Sequence, residues 1–143
     1  YRTWLPRPVA GTQGLVAAVR PPSAEQWGAV QLQNRFRAYA KRPRQAADYA
    51  GWAAVRSVGE AAARTQSGDA KVLRDYIRSP EFELAAFKGR SLSYRAWNGE
   101  LRQPMLIAQP RALVSLSPQE GFLHPSSDLD TLGFDAPEVK CKP

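Results

Sequence analysis

Apolar residues return at three- and four-residue spacing along much of the first half of the chain, which is the period of a helix with one buried face. Ala29, Leu32, Phe36, Tyr39 and Ala40 predict a helix over Ala24 to Arg42, stopped by Pro43, with Arg35 and Arg37 off the apolar face. A second helix is predicted from Gln45 to Thr65. Its apolar stripe of Ala47, Ala50, Ala54, Val55, Val58, Ala61 and Ala62 is wide and mostly small. Opposite runs a row spaced by four, Asp48, Trp52, Arg56, Glu60 and Arg64, in which Trp52 is a large aromatic among charges. Ser67-Gly68-Asp69 ends this helix and caps a third, with Val72, Leu73, Tyr76 and Ile77 as its buried stripe and Ser79-Pro80 as its stop.

The period then changes to two. Leu92, Tyr94 and Ala96 alternate with Ser91, Ser93 and Arg95, and Asn98-Gly99 carries the residues of a tight type I′ turn. A returning strand is expected over Met105 to Ala108 and another over Ala112 to Ser117. The opening stretch to about residue 24 reads as Pro- and Gly-rich loop with one short strand in GLVAAV, and the polar segment from Pro118 as a tail draped over a surface. Helices followed by hairpins leave a wide apolar helix face without a sheet of its own, so the chain reads as incomplete. Its start, YRTWLPRPVAG, has neither an initiator Met nor the layout of a signal peptide and reads as a cut end.

Charge sharpens the picture only through its distribution. The net charge is +7, and residues 1–44 hold all of the excess, with eight cations against Glu25 alone. The cluster Arg35, Arg37, Lys41, Arg42 and Arg44 is broken by Pro43 and has no interleaved aromatic repeat, which favours a solvated helix end over a nucleic-acid surface. Nucleic-acid binding through the basic residues of 1–44 is the alternative function; nucleic acid is an unlikely partner. Cys141 is the single cysteine. Its role stays open between pairing with a residue upstream and a tail thiol.

The search for chemistry excludes more than it finds. His124 is the only histidine and sits in a Pro-flanked loop far from Cys141, and no GxSxG elbow marks a nucleophile. GTQG, Gly11 to Gly14, is too short for a phosphate loop and reads as a turn that leaves Gln13 as a hinge or cleft-wall candidate. Asp128, Asp130, Asp135 and Glu138 lack calcium-loop spacing. The expectation is a binding module with no catalytic residue, no metal and no cofactor.

The order of elements resembles a known family. FRAYAKRPRQAADYAGWAAV, SGDAKVLRDYIRSPEFELAAFKG and SLSYRAWNGELRQPMLIAQ are similar, in that order, to the C-terminal third of periplasmic solute-binding proteins of the type I, branched-chain amino-acid-binding group. RPVAGTQGL, EQWGAVQLQNRF and SPQEGFLHPSSDLDTLGFDAPE look closer still to the subgroup associated with pyrroloquinoline-quinone (PQQ)-dependent alcohol dehydrogenase systems. The resemblance implies an α/β fold in two lobes, with helices packed on a mainly parallel sheet and a C-terminal β-hairpin. Residues 1–117 would be the C-terminal segment of that fold, spanning parts of both lobes, and 118–143 an extended tail. It further implies a substrate-binding component of an ABC transporter that captures a small-molecule solute in the periplasm and passes it to an inner-membrane ABC permease. The family's Tyr-Asp pair is here Trp52-Ala53, which argues against an α-amino-acid ligand. Trp52 is the first candidate for ligand contact, followed by Tyr49 and Asp48, with Gln13 on the far turn.

Overall fold

A computed structural model describes residues 14–121 and 123–140. The first helix, α1 (Ala29–Ala40), starts five residues later than its apolar spacing predicts. Trp27 and Gly28 both adopt left-handed backbone, φ 53° and 78°, and two such residues in succession cannot belong to a right-handed helix. Lys41 closes α1 with φ 57° and donates its N–H to the carbonyl of Arg37 at 3.0 Å. Tyr39, expected on the apolar face, is 91% exposed.

The long helix α2 (Ala46–Thr65) keeps its predicted limits. Gln45 caps it in a reciprocal box, in which the Asp48 carboxylate accepts the Gln45 N–H at 2.7 Å. Its buried face, however, shares only Ala61 with the predicted alanine stripe. The buried row is Tyr49, Ala53, Ser57 and Ala61, while Ala47, Ala50, Ala54, Val55 and Val58 are exposed, Val55 at 75%. Three small residues in that row let the strand segment after Pro80 lie close against the helix. The Ser57 hydroxyl bonds the carbonyl of Ala53 and shares a 2.8 Å hydrogen bond with the Tyr94 hydroxyl, so its burial leaves nothing unsatisfied. In α3 (Ala70–Ile77) the Asp69 carboxylate accepts the N–H groups of Lys71 and Val72, both at 3.0 Å. Leu73, Tyr76 and Ile77 pack inward, whereas Val72 is exposed.

The strands are β1 (Val16–Ala18), β2 (Leu84–Ala85), β3 (Ser91–Tyr94), β4 (Leu101–Arg102), β5 (Met105–Gln109) and β6 (Ala112–Ser117). They form two three-stranded sheets, β1-β5-β6 and β2-β3-β4. Every pairing among the described residues is antiparallel, which corrects the expectation of a mainly parallel sheet. The physical reason is connection length: β3 to β4 and β5 to β6 join through short loops, and a parallel pair needs a crossover of a dozen residues or more. The architecture is therefore mixed, helices with antiparallel sheets.

The hairpin also differs from its prediction. Only Gly99 has positive φ, 72°, so Asn98-Gly99 does not form a type I′ turn. Arg95 and Glu100 instead bracket a four-residue loop, with the Arg95 N–H on the Glu100 carbonyl and the Gly99 N–H on the Arg95 carbonyl, each 2.8 Å. The strand that returns to β3 is β4, while Met105–Gln109 pairs with β1 and β6 in the other sheet.

The core forms where α2 meets β2 and β3, around Tyr49, Ala53, Ala61, Phe82, Leu84, Ala86 and Leu92. From Phe82 to Lys88 every second residue is buried, so the strand period carries the side chain of Lys88 inward. The segment after Pro118 is pinned to the hairpin. Asp130, buried within the 3-10 turn Asp128–Thr131, accepts from Arg95 Nε at 2.8 Å and Arg102 Nε at 2.7 Å. Arg95 also donates to the carbonyls of Leu129 and Leu132, both 2.9 Å. Among the described residues, no helix is long and apolar enough to cross a membrane.

Candidate ligand cleft

Two aromatic–glycine pairs, Trp27-Gly28 and Phe87-Lys88-Gly89, lie across one another in the structure. A Cβ on Gly89 would sit 2.6 Å from the Trp27 indole, and one on Gly28 would sit 3.0 Å from the Phe87 ring. Each aromatic thus rests on the other segment's glycine. Trp27 and Phe87 have φ of 53° and 57°, and Gly28 and Gly89 have 78° and 79°. For bulky residues left-handed backbone costs on the order of 1–3 kcal/mol each and persists only where the surroundings impose it. This mutual clasp fixes one wall of an open cleft of about 410 Å³, closed on the other side by Trp52 and Arg56 of α2. The volume lies in the range of small-molecule sites.

Trp52 stands between Tyr49 and Phe87, with ring centroids 5.7 Å and 5.5 Å away. Together with Arg56 and Phe87 it also lines a smaller groove of about 250 Å³ facing Leu32, Arg35 and Phe36 of α1. The charged row of α2 is therefore no solvated face at Trp52: its position is covered by α1 and the clasp. Arg56 and Arg90 supply positive charge to the larger cleft, Arg56 reaching Glu60 at only 3.9 Å and Arg90 pairing with Asp128. Lys88 is also among its lining residues.

The predicted site residues separate. Trp52 is a cleft wall. Tyr49 is a core residue whose ring is buried and whose hydroxyl donates to the Ala86 carbonyl at 2.8 Å; burial raises its pKa to about 12. Asp48 faces away, held by Arg42 through bonds of 2.6 and 2.7 Å and by the Gln45 N–H, which pull its carboxyl down to about 2. Gln13 and Cys141 lie outside the described residues. The tail acids are engaged: Asp128 with Arg90, Asp130 with Arg95 and Arg102, Asp135 with His124, and Glu138 with the Asp135 N–H. Trp27 and Phe87, which periodicity passed over, share a readable signal, a large aromatic within two residues of a glycine.

A third feature lies behind Tyr49. Arg20, Arg44 and Lys88 are all buried, at 2%, 7% and 2% exposure. Lys88 donates to the carbonyls of Val19 and Pro104, and burial followed by repulsion from Arg20 and Arg44 brings its pKa down to about 7. Arg44 donates to the Arg20 carbonyl at 3.0 Å and lies over the Tyr49 ring at 5.5 Å, with Lys88 Nζ at 5.3 Å from that ring.

No protein-family model matches the chain, and neither a characterised protein nor a solved structure matches it.

Proposed function

We propose that this chain is part of a periplasmic solute-binding protein that serves an ABC importer, delivering a small solute, linked to alcohol oxidation, to an inner-membrane permease. In this reading the chain supplies the C-terminal part of a two-lobed type I binding protein. The supporting observation is that two of the segments that carry the resemblance, the Gly51-Trp52-Ala53-Ala54-Val55 stretch and PEFELAAFKG, contribute Trp52 and Ala85 to Gly89 to the lining of the aromatic cleft. Their coincidence at one concave, strained surface is what a binding module needs and a purely structural fragment does not. The exposed face of α2, with Val55 and Val58 uncovered, fits a surface against which another lobe closes.

The cleft chemistry favours a planar, anionic or polar organic solute. Trp27, Trp52 and Phe87 offer stacking faces, and the Arg56 guanidinium offers donors to a carboxylate. Of the cations behind the nucleic-acid alternative, Arg20 and Arg44 are buried and Arg42 is paired with Asp48, which among the described residues thins the basic patch to Arg35, Arg37 and Lys41 on α1 and its end; Arg2 and Arg7 lie outside the described residues.

The test is tryptophan fluorescence and thermal shift against a panel of amino acids, alcohols, aldehydes, quinones and aromatic carboxylates. A saturable rise in Tm with one class, weakened at least tenfold by Trp52→Ala, is the expected result, because a ligand that binds only the folded state must stabilise it. No response to any compound, together with salt-sensitive binding to nucleic acid, would overturn the reading.

A further inference from the structure

We infer that the groove between α2 and α3 is a second binding site, distinct from the aromatic cleft, for an amphiphilic monocarboxylate whose apolar chain lies along the helices and whose carboxylate meets Arg74 and Arg78. The groove has a volume of about 510 Å³, within the range of small-molecule sites. It occupies the other flank of α2. Trp52 and Arg56 line the aromatic cleft on one side of the buried row Tyr49, Ala53, Ser57 and Ala61, and Ala54 and Val58 line the groove on the other.

Its shape follows from residue size. Ala54 on α2 and Ala70 on α3 are exposed and leave space that larger side chains would fill, while Val58, Leu73 and Ile77 give apolar walls. From Ala70 to Arg78 the chain advances about 12 Å along α3 and its C-cap, at about 1.5 Å per residue, which suits an extended chain. Val58 is 49% exposed, and an apolar occupant removes that surface from water.

The hydroxyl and amide groups of the groove are committed within the protein. Ser57 gives its hydroxyl proton to the Ala53 carbonyl, so the 2.8 Å bond between Ser57 and Tyr94 is donated by Tyr94, and both protons are used. The Asn98 amide donates to the Glu100 carboxylate and accepts the Glu100 N–H, each at 3.0 Å. Along its length the groove therefore recognises apolar surface. Its charge is of one sign: Arg74 and Arg78, a turn apart, are lining residues, and no acid is. Arg74 shares the exposed Asp75. Arg78 forms no ion pair among the described residues and makes one side-chain bond, from Nη2 to the Ala96 carbonyl. Its Nε and Nη1 have no acceptor among the described residues yet, unlike those of Arg44, are not sealed from solvent. A carboxylate can reach them, and a charge-assisted hydrogen bond there is stronger than a neutral one. An uncharged or cationic head gains no such bond.

The experiment titrates the wild-type chain with octanoate, butyrate and octylammonium at constant ionic strength, reading Tm and the methyl resonances of Val58, Leu73 and Ile77 by NMR. Expected are a saturable rise in Tm with octanoate and saturable shifts at those methyls, because a ligand of the folded state stabilises it. Butyrate and octylammonium should bind roughly tenfold or more weakly, as should octanoate to Arg78→Gln. Ala54→Phe fills the groove from an exposed position and should abolish the response, while Trp52→Ala, in the aromatic cleft, should leave it in place. Absence of a saturable response to octanoate would overturn the proposal, as would equal binding of octylammonium or a response kept intact in Ala54→Phe. Methyl shifts that follow protein concentration without any ligand would overturn it too, since a second copy of the chain would then cover the groove. Should Ala54→Phe fail to fold, the wild-type methyl shifts, compared between octanoate and octylammonium, decide alone.

Discussion

Arg95 and Arg44 are both arginines buried in the same small chain, yet their surroundings differ in the one respect that decides their energetics. Arg95 has a carboxylate, Asp130, and two carbonyls, and Arg102 shares the same carboxylate. Burial alone would raise the Asp130 pKa, but the guanidiniums of Arg102 and Arg95 outweigh it and hold the group below the usual carboxylate range. Arg44 has a carbonyl, an aromatic face and two cationic neighbours. The first cluster carries its own carboxylate and fixes a segment in place; the second is enclosed with guanidinium donors that have no acceptor among the described residues. Burial of charge is thus compensated in one cluster and costly in the other.

The sharpest way to break this contrast is to neutralise one member of each cluster. Asp130→Ala removes the buried carboxylate that Arg95 and Arg102 share and leaves Arg95 only the half-exposed Glu100, so it should destabilise by about 3–5 kcal/mol, read by urea denaturation. Arg44→Met removes a buried cation that has no ion-pair partner among the described residues and should be neutral or stabilising. Equal losses from both substitutions would show that the two clusters do not differ.

Gly89→Ala comes next in size. Its Cβ would meet the Trp27 indole at 2.6 Å on a backbone with φ 79°, so the clasp must open. A loss of roughly 1–3 kcal/mol is expected from the left-handed backbone and the contact together, with a red shift of Trp fluorescence as Trp27 leaves the glycine. Gly68→Ala, where nothing lies within 4 Å, serves as the control and should change little.

The uncompensated cluster also sets a pH dependence. The Lys88 pKa falls from 10.5 to about 7 in the folded chain, so between those values the unfolded chain binds the extra proton. Stability should rise with pH across that window, by up to about 1.4 kcal/mol per unit. Tyr49 has the opposite sign: its pKa rises from 10.0 to about 12, so above pH 10 the unfolded chain loses a proton that the folded chain keeps, and stability turns down. A maximum near pH 10 is the expected profile, flattened on its neutral side by Lys88→Met.

What was legible in the sequence divides along physical lines. Helix limits were legible where a cap or a stop marks them, Asp69 as a cap and Pro43 and Ser79-Pro80 as stops, but not at the start of α1, where the left-handed Trp27 and Gly28 delay the helix, nor in the Gln45–Asp48 capping box of α2. Which face of α2 is buried was not legible, because an alanine-rich helix has little contrast between faces and tertiary packing chose the row with Tyr49 and Ser57. The strand partners were missed for a related reason. Leu101-Arg102 is too short to show alternation, and the parallel sheet came from resemblance, not from any residue pattern. Trp52 stood out as an aromatic on a charged row and lines the cleft, while Tyr49 and Asp48 were drawn in only as its neighbours. The buried cations were the least visible of all, since charge in a sequence reads as surface. Yet Lys88 continues the alternation of Phe82, Leu84 and Ala86, and that period alone points it inward.

The smallest effect tests the exposed end of the comparison. Arg42, unlike Arg44 two residues later, is at the surface and holds Asp48 through two short hydrogen bonds. The Arg42 guanidinium, and then the Gln45 N–H, bring the Asp48 carboxyl from 3.8 to about 2. A depressed carboxyl contributes its stability in full above the unfolded value and loses it as pH falls through the folded one. Arg42→Gln should therefore lose this small contribution in full at neutral pH, as a downward shift in Tm that fades as pH falls from about 4 to 2. Because both groups face water, salt should erase most of that shift. A shift that persists at high salt would mean that Arg42 is shielded as Arg44 is, and that the boundary between the buried cluster and the surface lies further out than the structure draws it.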